Sequence, residues 1–300
     1  MHRPRLSLQR RLGAAMAIAA SAAAIEILGS WASGSLALLS DAGHVGTDAA
    51  ALGLSLAAVR ISERPHTPRL SWGYHRTEVL AALVNGILLV GIAGFLLSQA
   101  YGRYGAPSAV LGETMFLAAL AGLVANLGML ALLRGWARAN INVRGAFLHV
   151  YGDTLGSAGV VTAALLIQVT GLVILDLVVA VLIVGLILFS ATRLLREAVR
   201  IVLEASPAEL RPEEVARAIG SVPGVKGVHD LHIWTVTSGL HSLTGHIALD
   251  GNASVLEASR VVERVQAHLR QRFKIAHATL QVDSLQADMI PPADVGTRGP

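Results

Sequence analysis

Long apolar segments alternate with short polar connections over the first two thirds of the chain. Six of these segments are long enough to cross a bilayer as helices, because a hydrocarbon core of about 30 Å takes about 20 helical residues. They cover residues 12–31, 35–59, 79–101, 111–133, 143–169 and 172–191. We therefore predict an α-helical membrane protein whose membrane domain, residues 12–205, contains six transmembrane helices.

The composition supports a membrane protein. Hydrophobic residues make up 53% of the 300-residue chain and charged residues 15%, against about 25% charged residues in an ordinary soluble domain. The mean hydropathy is +0.58. Cysteine is absent, which excludes disulfides and thiolate metal sites, so a metal must be held by His, Asp or Glu.

Arginine is concentrated in alternate connections between the apolar segments. These arginines are Arg3, Arg5, Arg10, Arg11, Arg60, Arg64, Arg69, Arg76, Arg134, Arg138, Arg144, Arg193, Arg196 and Arg200. The only arginine in the other connections is Arg103. The positive-inside rule therefore places both termini in the cytoplasm. The position of these arginines at the ends of apolar segments indicates contact with lipid headgroups and argues against a nucleic-acid partner.

The first segment also has an alternative interpretation. A basic arm, residues 1–11, precedes an apolar stretch that contains Ala20-Ser21-Ala22, as in a cleaved secretory signal. Cleavage would leave the remaining loops on their predicted sides, so the arginine pattern weakens this interpretation without eliminating it.

A soluble domain follows, which we place at residues 206–284. The pattern predicts a helix at about 211–221, strands at 227–237 and 240–249, a second helix, and a strand at 278–283. Ser254 and Glu257 form a capping box that starts the second helix. The resulting αββαβ order is typical of a small two-layer α+β fold. The Pro- and Gly-rich tail, residues 285–300, is predicted to be disordered.

Two apolar segments carry a His and an Asp four residues apart, His44 with Asp48 and His149 with Asp153. On a helix this spacing puts both side chains on one face. Two imidazoles and two carboxylates are the number and type of ligands that close a tetrahedral Zn²⁺ site. Their formal charge of −2 is cancelled by one divalent cation or by two protons, which suggests metal/proton exchange.

Other acidic residues in the segments have less specific interpretations. Asp41 precedes His44 by one helical turn, and we predict that it orients the ligands or conducts protons. Glu26 and Asp176 are interpreted either as helix contacts or as groups reached by water. Asn85 and Asn126 are predicted to form hydrogen bonds between helices.

The chain resembles the zinc transporter branch of the cation diffusion facilitator family. The resemblance lies in four stretches: GSLALLSDAGH at 34–44, GYHRTE at 73–78, NVRGAFLH at 142–149 and VHDLHIW at 228–234. It implies a homodimer with six transmembrane helices per protomer and a cytoplasmic ferredoxin-like domain for metal sensing and dimerisation. It further implies export of Zn²⁺ across the cell membrane by alternating access, coupled to inward proton flow, with other divalent metals left open.

The resemblance also implies roles for single residues. His44, Asp48, His149 and Asp153 match the family's transport site, and a His at position 44 goes with a preference for Zn²⁺ over Cd²⁺. In the cytoplasmic domain His229, His246 and Asp283 match a metal site, although Gln281 stands where many members have a further His. His232, His241 and His277 are possible substitutes, and His66 with His75 is a weaker candidate site in the second connection.

Two other functions remain as alternatives. An intramembrane metal-dependent hydrolase would need an open coordination position for water and a nearby general base. Four protein ligands would close that position, and no HExxH motif is present. A membrane-anchored metal sensor would leave the ionisable pairs inside the segments unexplained. We therefore predict a transporter and not an enzyme.

Overall fold

The computed structural model describes residues 3–65, 67–105, 109–137, 141–237 and 239–284. The chain divides into two compact units. One unit comprises Met1–Ala57 and Ala81–Leu195, and the other comprises Ala58–Leu80 and Arg196–Pro300. The tail predicted to be disordered, residues 285–300, lies outside the described residues.

In the part of the chain that the structure describes, six long helices follow one another, as predicted from the apolar segments. They are α1 (Arg3–Ser33), α2 (Leu36–Ser62), α3 (Thr77–Gly105), α4 (Gly112–Ala137), α5 (Ile141–Thr170) and α6 (Ile174–Val202). Among the described residues, five of the six, all except α2, are long and apolar enough to cross a membrane. With 27 residues α2 has the length, but Asp41, His44 and Asp48 lower its mean hydropathy.

Small residues allow close helix contacts in the first unit. A Cβ atom added at Gly29 of α1 would collide with the Cβ atom of Ala118 on α4. Such contacts let helix backbones approach closely. This is common in membranes, where no hydrophobic effect drives helices together and association depends on close packing. Around them Leu38, Leu96 and Met115 are fully buried and form part of the helical core.

Asp176, in the first turn of α6, caps the N-terminus of α2. Its carboxylate accepts hydrogen bonds from the Oγ of Ser35 (2.5 Å) and from the backbone N–H groups of Leu36 (2.7 Å) and Ala37 (3.1 Å). The first N–H groups of a helix have no partner within the helix, so this carboxylate satisfies donors that would otherwise be buried unpaired. Of the two interpretations open for Asp176, the structure supports helix contact.

The C-terminal part of the second unit has the predicted αββαβ order. It consists of α7 (Pro212–Gly220), β1 (Gly227–Thr237), β2 (Leu240–Leu249), α8 (Val255–Phe273) and β3 (Ile275–Ser284). The sheet order is β1-β2-β3, with β1 antiparallel and β3 parallel to the central β2. Buried side chains of α7, α8 and the sheet form one apolar core.

The start of α8 agrees with the sequence prediction, but the start of β3 does not. Ser254 and Glu257 form both hydrogen bonds of a capping box, and the bond that Glu257 accepts from the backbone N–H of Ser254 lowers its pKa. Lys274 ends α8 in a left-handed conformation with φ 56°. The chain reverses at once, so β3 begins at Ile275, three residues before the predicted 278.

The connection between α2 and α3 groups with the C-terminal part. Glu78 accepts hydrogen bonds from the Oγ1 of Thr237 (2.6 Å) and the Oγ of Ser62 (3.1 Å). The ring of Trp72 packs edge-on against His277, with ring centroids 4.9 Å apart. These contacts explain why this segment joins the second unit although it is far from the C-terminal part in sequence.

Candidate metal sites

Two adjacent helices carry the first cluster, with His44 and Asp48 on α2 and His149 and Asp153 on α5. Each imidazole contacts the carboxylate of the other helix. The Nε2 of His149 lies 3.0 Å from Asp48 Oδ2, and the Nε2 of His44 lies 3.4 Å from Asp153 Oδ1. The pairs within each helix are farther apart, at 3.7 Å and 3.8 Å. The cluster is therefore held together across the helix pair.

These separations suit a single small cation. Ligand atoms bound to one Zn²⁺ at about 2 Å in a tetrahedron lie about 3.3 Å from one another. Atoms of His44, Asp48 and Asp153 lie within 4.8 Å of one another, and His149 reaches both carboxylates from the side that is more open. The Nδ1 of His44 is buried without a hydrogen bond. The structure thus brings together all four predicted ligands.

Asp41 lies behind this cluster in a buried polar chain. The Nδ2 of Asn126 on α4 donates to the Oγ of Ser157 on α5, and Ser157 Oγ donates to Asp41 Oδ2, each over 3.0 Å. All three residues are buried. Asn126 therefore forms the interhelical hydrogen bond that was predicted, and the chain fixes the carboxylate of Asp41 one turn from the cluster.

The second cluster lies on the sheet of the C-terminal domain. In the strand register, His229 of β1 faces His246 of β2, and Asp283 follows the β3 partner of His246 by two residues. Asp283 Oδ2 lies 2.8 Å from His246 Nδ1 and 3.2 Å from His229 Nε2. Ligand atoms of these three side chains lie within 4.8 Å of one another. The Nε2 of His229 is buried with no hydrogen bond, which fits a metal ligand.

Hydrogen bonds keep the carboxylate of Asp283 ionised. The bond from His246, and after it the bond from Gln281 Nε2 (3.1 Å), lowers the pKa of Asp283. Gln281 occupies the position where many family members have a His, and here it supports the carboxylate. A deprotonated oxygen is the form that binds a metal.

Two family models match this chain. Residues 12–203 match the cation efflux transmembrane domain, and residues 207–285 match the cation efflux protein cytoplasmic domain. The chain belongs to the cation efflux family. This confirms the resemblance to cation diffusion facilitators and their zinc branch, and it makes the first helix part of the family's membrane domain.

The relatives of this efflux protein span most of its length. The metal cation efflux system protein CzcD of Cupriavidus metallidurans is 38% identical over 92% of this chain and 86% of its own. The zinc transporter ZitB of Escherichia coli is 39% identical over 94% and 90%. A cadmium, cobalt and zinc/H(+)-K(+) antiporter of Bacillus subtilis is 33% identical over 87% and 84%. A solved metal-bound C-terminal domain of CzcD is 38% identical, covers 25% of this chain and 99% of that domain, and has a TM-score of 0.23.

The other candidate histidines that the structure describes lie apart from both clusters or at their edge. His232 Nε2 pairs with Asp230 Oδ1 at 2.9 Å, His241 Nδ1 contacts Thr235 Oγ1 at 3.2 Å, and His277 packs against Trp72. His75 is partly buried in the connection before α3, whereas His66 lies outside the described residues. The candidate site of His66 and His75 therefore stays a prediction.

Asp230 is a cluster neighbour that the sequence reasoning missed. It has φ 48° at a β-bulge between His229 and His232. The bulge turns its carboxylate toward His246, whose Nε2 lies 3.7 Å from Asp230 Oδ2. The signal in the sequence was an acid between two histidines, but an alternating strand would have placed it on the opposite face of the sheet.

Proposed function

We propose that this efflux protein exports Zn²⁺ from the cytoplasm in exchange for protons, with His44, Asp48, His149 and Asp153 as its transport site. The observation that supports the proposal best is the meeting of these four side chains between α2 and α5, in separations that suit one ion. Family membership favours transport over the hydrolase alternative.

Charge balance explains why exchange is the expected mode. A carboxylate near the middle of a membrane helix costs about 2.5–3.5 kcal/mol on insertion scales. Two carboxylates with two neutral imidazoles carry a formal charge of −2, which Zn²⁺ cancels and two protons cancel equally well. The cluster can therefore face either side of the membrane with either cargo, as alternating access requires.

The ligand types favour zinc. Two nitrogens and two carboxylate oxygens form the compact tetrahedron that Zn²⁺ prefers, whereas replacing an imidazole with a carboxylate would add negative charge and a harder donor. The relatives point the same way, since ZitB is a zinc transporter and the Bacillus protein is a cadmium, cobalt and zinc/H(+)-K(+) antiporter. The full range of metals carried is left open.

The distribution of arginine along the chain predicts the orientation of the protein in the membrane. Its accumulation in alternate connections places both termini in the cytoplasm, so that the proposed direction of transport is outward across the cell membrane. The cytoplasmic domain then faces the metal to be exported. We assign His229, His246 and Asp283 there to a Zn²⁺ site that senses this metal, and we expect the protein to act as a homodimer.

A flux experiment tests the proposal. The full-length protein is reconstituted in proteoliposomes that contain a zinc-sensitive dye, and a pH gradient is imposed. We expect Zn²⁺ flux that depends on the gradient and falls to the background of empty liposomes in D48N and in D153N. D250N, which changes an exposed acid in the cytoplasmic domain, is the control. Flux that persists in D48N and D153N would refute the assigned site.

A further inference from the structure

Asp230 has no assigned role in the second cluster, although it lies beside one of the ligands. It is one of three described residues other than glycine with a positive φ, at 48°. This left-handed conformation is uncommon outside glycine, and Asn and Asp adopt it most readily. The bulge that contains Asp230 lies between His229 and His232. An acid held in this conformation next to a candidate ligand points to a function at the cluster.

The bulge places two histidines of β1 on the face of the sheet that carries the cluster. His229 pairs with His246 on β2. His232 pairs with Thr244, two residues before His246. Residues two apart on a strand share a face, so both histidines of β1 lie on the same face although three positions separate them. In a regular strand they would lie on opposite faces.

Gly245 on β2 leaves room for the bulge. A Cβ atom at this position would come within 2.9 Å of the Cδ1 atom of Leu231 and within 3.5 Å of its Cα atom. The backbone oxygen of Asp230 would be 3.7 Å away. A larger residue at position 245 would therefore push against the bulged strand. Both strands thus contribute to the conformation of Asp230.

The carboxylate of Asp230 lies between two imidazoles. Its Oδ1 atom is 2.9 Å from the Nε2 of His232, a hydrogen-bond distance, and its Oδ2 atom is 3.7 Å from the Nε2 of His246. The other ring nitrogen of His246, Nδ1, lies 2.8 Å from Asp283 Oδ2. The imidazole of His246 therefore has one nitrogen toward an assigned ligand and the other toward Asp230.

An imidazole that binds a metal needs a partner for its other nitrogen. In protein metal sites that nitrogen commonly donates its N–H to a carboxylate, a backbone oxygen or water, which fixes the ring and makes it a more basic ligand. Asp230 is the carboxylate on that side of His246. It also balances charge, because two neutral imidazoles and the carboxylate of Asp283 leave a bound Zn²⁺ with one surplus positive charge.

We propose that Asp230 is a positioning residue of the second cluster. It holds the imidazole of His246 with the Nε2–H toward its own carboxylate and the lone pair of Nδ1 toward the metal. His232 holds the carboxylate from the other side, and Asp230 itself does not bind the metal. The inference rests on the Zn²⁺ site proposed above for His229, His246 and Asp283.

Zn²⁺ titration of the full-length protein tests this assignment, with D48N/D153N as the parent variant that lacks the first cluster. D230G removes the carboxylate, and glycine accepts the left-handed backbone, so the bulge is kept. We expect the affinity to fall about tenfold or more with an unchanged number of bound ions. D230N keeps the side-chain shape but loses the charge, and it should also bind more weakly than the parent.

Two controls separate this effect from general ones. D250N removes an exposed acid of the same domain. K274G introduces glycine at another left-handed position. Both should bind Zn²⁺ with the affinity of the parent, because neither residue contacts the cluster in the described structure.

The possible outcomes of the titration are distinguishable. If the parent binds no Zn²⁺, the site assigned to His229, His246 and Asp283 fails as well. If D230G and D230N bind with the affinity of the parent, only the role of Asp230 is overturned. If D230G binds one ion fewer while the affinity for the remaining ion is unchanged, Asp230 is a ligand of a second ion, and the positioning role is overturned.

The nitrogen spectrum of His246 provides a test that does not depend on the folding of any Asp230 variant. The parent is labelled with ¹⁵N-histidine, placed in lipid and saturated with Zn²⁺, and the signals of His246 are identified by comparison with H246Q. We expect Nδ1 to bind the metal and Nε2 to carry the proton. In D230G that proton should exchange faster with water, because its acceptor is gone. Zn²⁺ bound through Nε2 in the parent would overturn the proposal.

Discussion

The two clusters use the same kinds of side chain on different scaffolds. The first joins two helices, and its contacts across α2 and α5 are made by the ligand side chains themselves. The second spans three strands that backbone hydrogen bonds tie together in fixed register. Helices that meet through side chains can separate, whereas a hydrogen-bonded sheet cannot shift without losing its register. For this reason the first geometry suits a transported ion that must leave, and the second suits a metal that stays bound.

The two clusters also differ in how their surroundings compensate the charge of the carboxylates. In the helical bundle the carboxylates lie on helices of the apolar membrane domain, where the charge of a ligand set has to be compensated by a bound metal or by protons. In the cytoplasmic domain water and neighbouring hydrogen-bond donors can stabilise the Asp283 carboxylate whether or not a metal is bound. Substitutions in the first cluster should therefore change the function of the protein more than substitutions in the second.

Exchanging the two partners of the closest contact between α2 and α5 should give the largest effect. D48H and H149D each leave the cluster with an unbalanced ligand charge, and we expect Zn²⁺ flux to fall to background in both. The double variant D48H/H149D restores two imidazoles and two carboxylates. Its flux should exceed that of either single variant by about tenfold or more, a non-additivity that contacting residues show. Equal loss in all three would argue against a shared site.

Changing His44 to a carboxylate should alter selectivity. H44D adds a negative charge and removes one nitrogen from the N₂O₂ tetrahedron that favours Zn²⁺, so we expect the variant to admit Cd²⁺, with flux about tenfold above the wild type. Liposome flux assays with each metal would measure the ratio. H44Q, which adds no charge, is the matched control and should not gain Cd²⁺ transport. Continued exclusion of Cd²⁺ by H44D would contradict the assignment of His44 as a selectivity residue.

A further imidazole should strengthen the cytoplasmic cluster. Q281H replaces the amide that now donates to Asp283 with a potential ligand beside His246. We expect Zn²⁺ to bind this cluster about tenfold more tightly, within the range by which residues around a metal change affinity. Titration in a D48N/D153N background isolates the cytoplasmic site. H241Q, at the far end of the same strand pair, should leave the affinity unchanged, and no gain in Q281H would count against the cluster.

We expect the smallest effect from the protonation of Asp283, which should change the stability of the domain with pH. Its pKa is lowered in the folded domain, first by the bond from His246, and returns to about 4 in the unfolded chain. Its contribution to stability is therefore present above that pH and is lost as the pH falls through the lower, folded-state pKa. Acid titration followed by tryptophan fluorescence should show this loss in the wild type and not in D283N. D250N should behave like the wild type; the same loss in D283N would assign the transition to another group.

Local sequence patterns predicted most helices, strands and candidate ligands. The features that were not predicted depend on tertiary contacts. The spacing of His44 and Asp48 and the capping box at Ser254 depend on neighbours within one or two turns, so they could be derived from the sequence. The early start of β3 depends on the left-handed conformation of Lys274, a residue that commonly continues a helix. The close approach of Glu26 on α1 to Gly122 on α4 depends on which helices lie against each other, and no periodicity along the chain indicates this.

The hydrogen bond between Thr237 and Glu78 could not be predicted from the sequence, for a related reason. The apolar segments divide the chain in linear order, whereas the structure groups residues 58–80 with the C-terminal part. A glutamate at the start of α3 is explained equally well by its helix N-terminus, where acids are common. Only the fold shows that its second oxygen accepts a hydrogen bond from the last residue of β1.

The carboxylate of Asp176 also constrains how the bundle can rearrange. Because it saturates three donors at the beginning of α2, sliding that helix end past α6 would strand them in a dehydrated environment. We therefore expect these ends of α2 and α6 to move together in any rearrangement of the bundle.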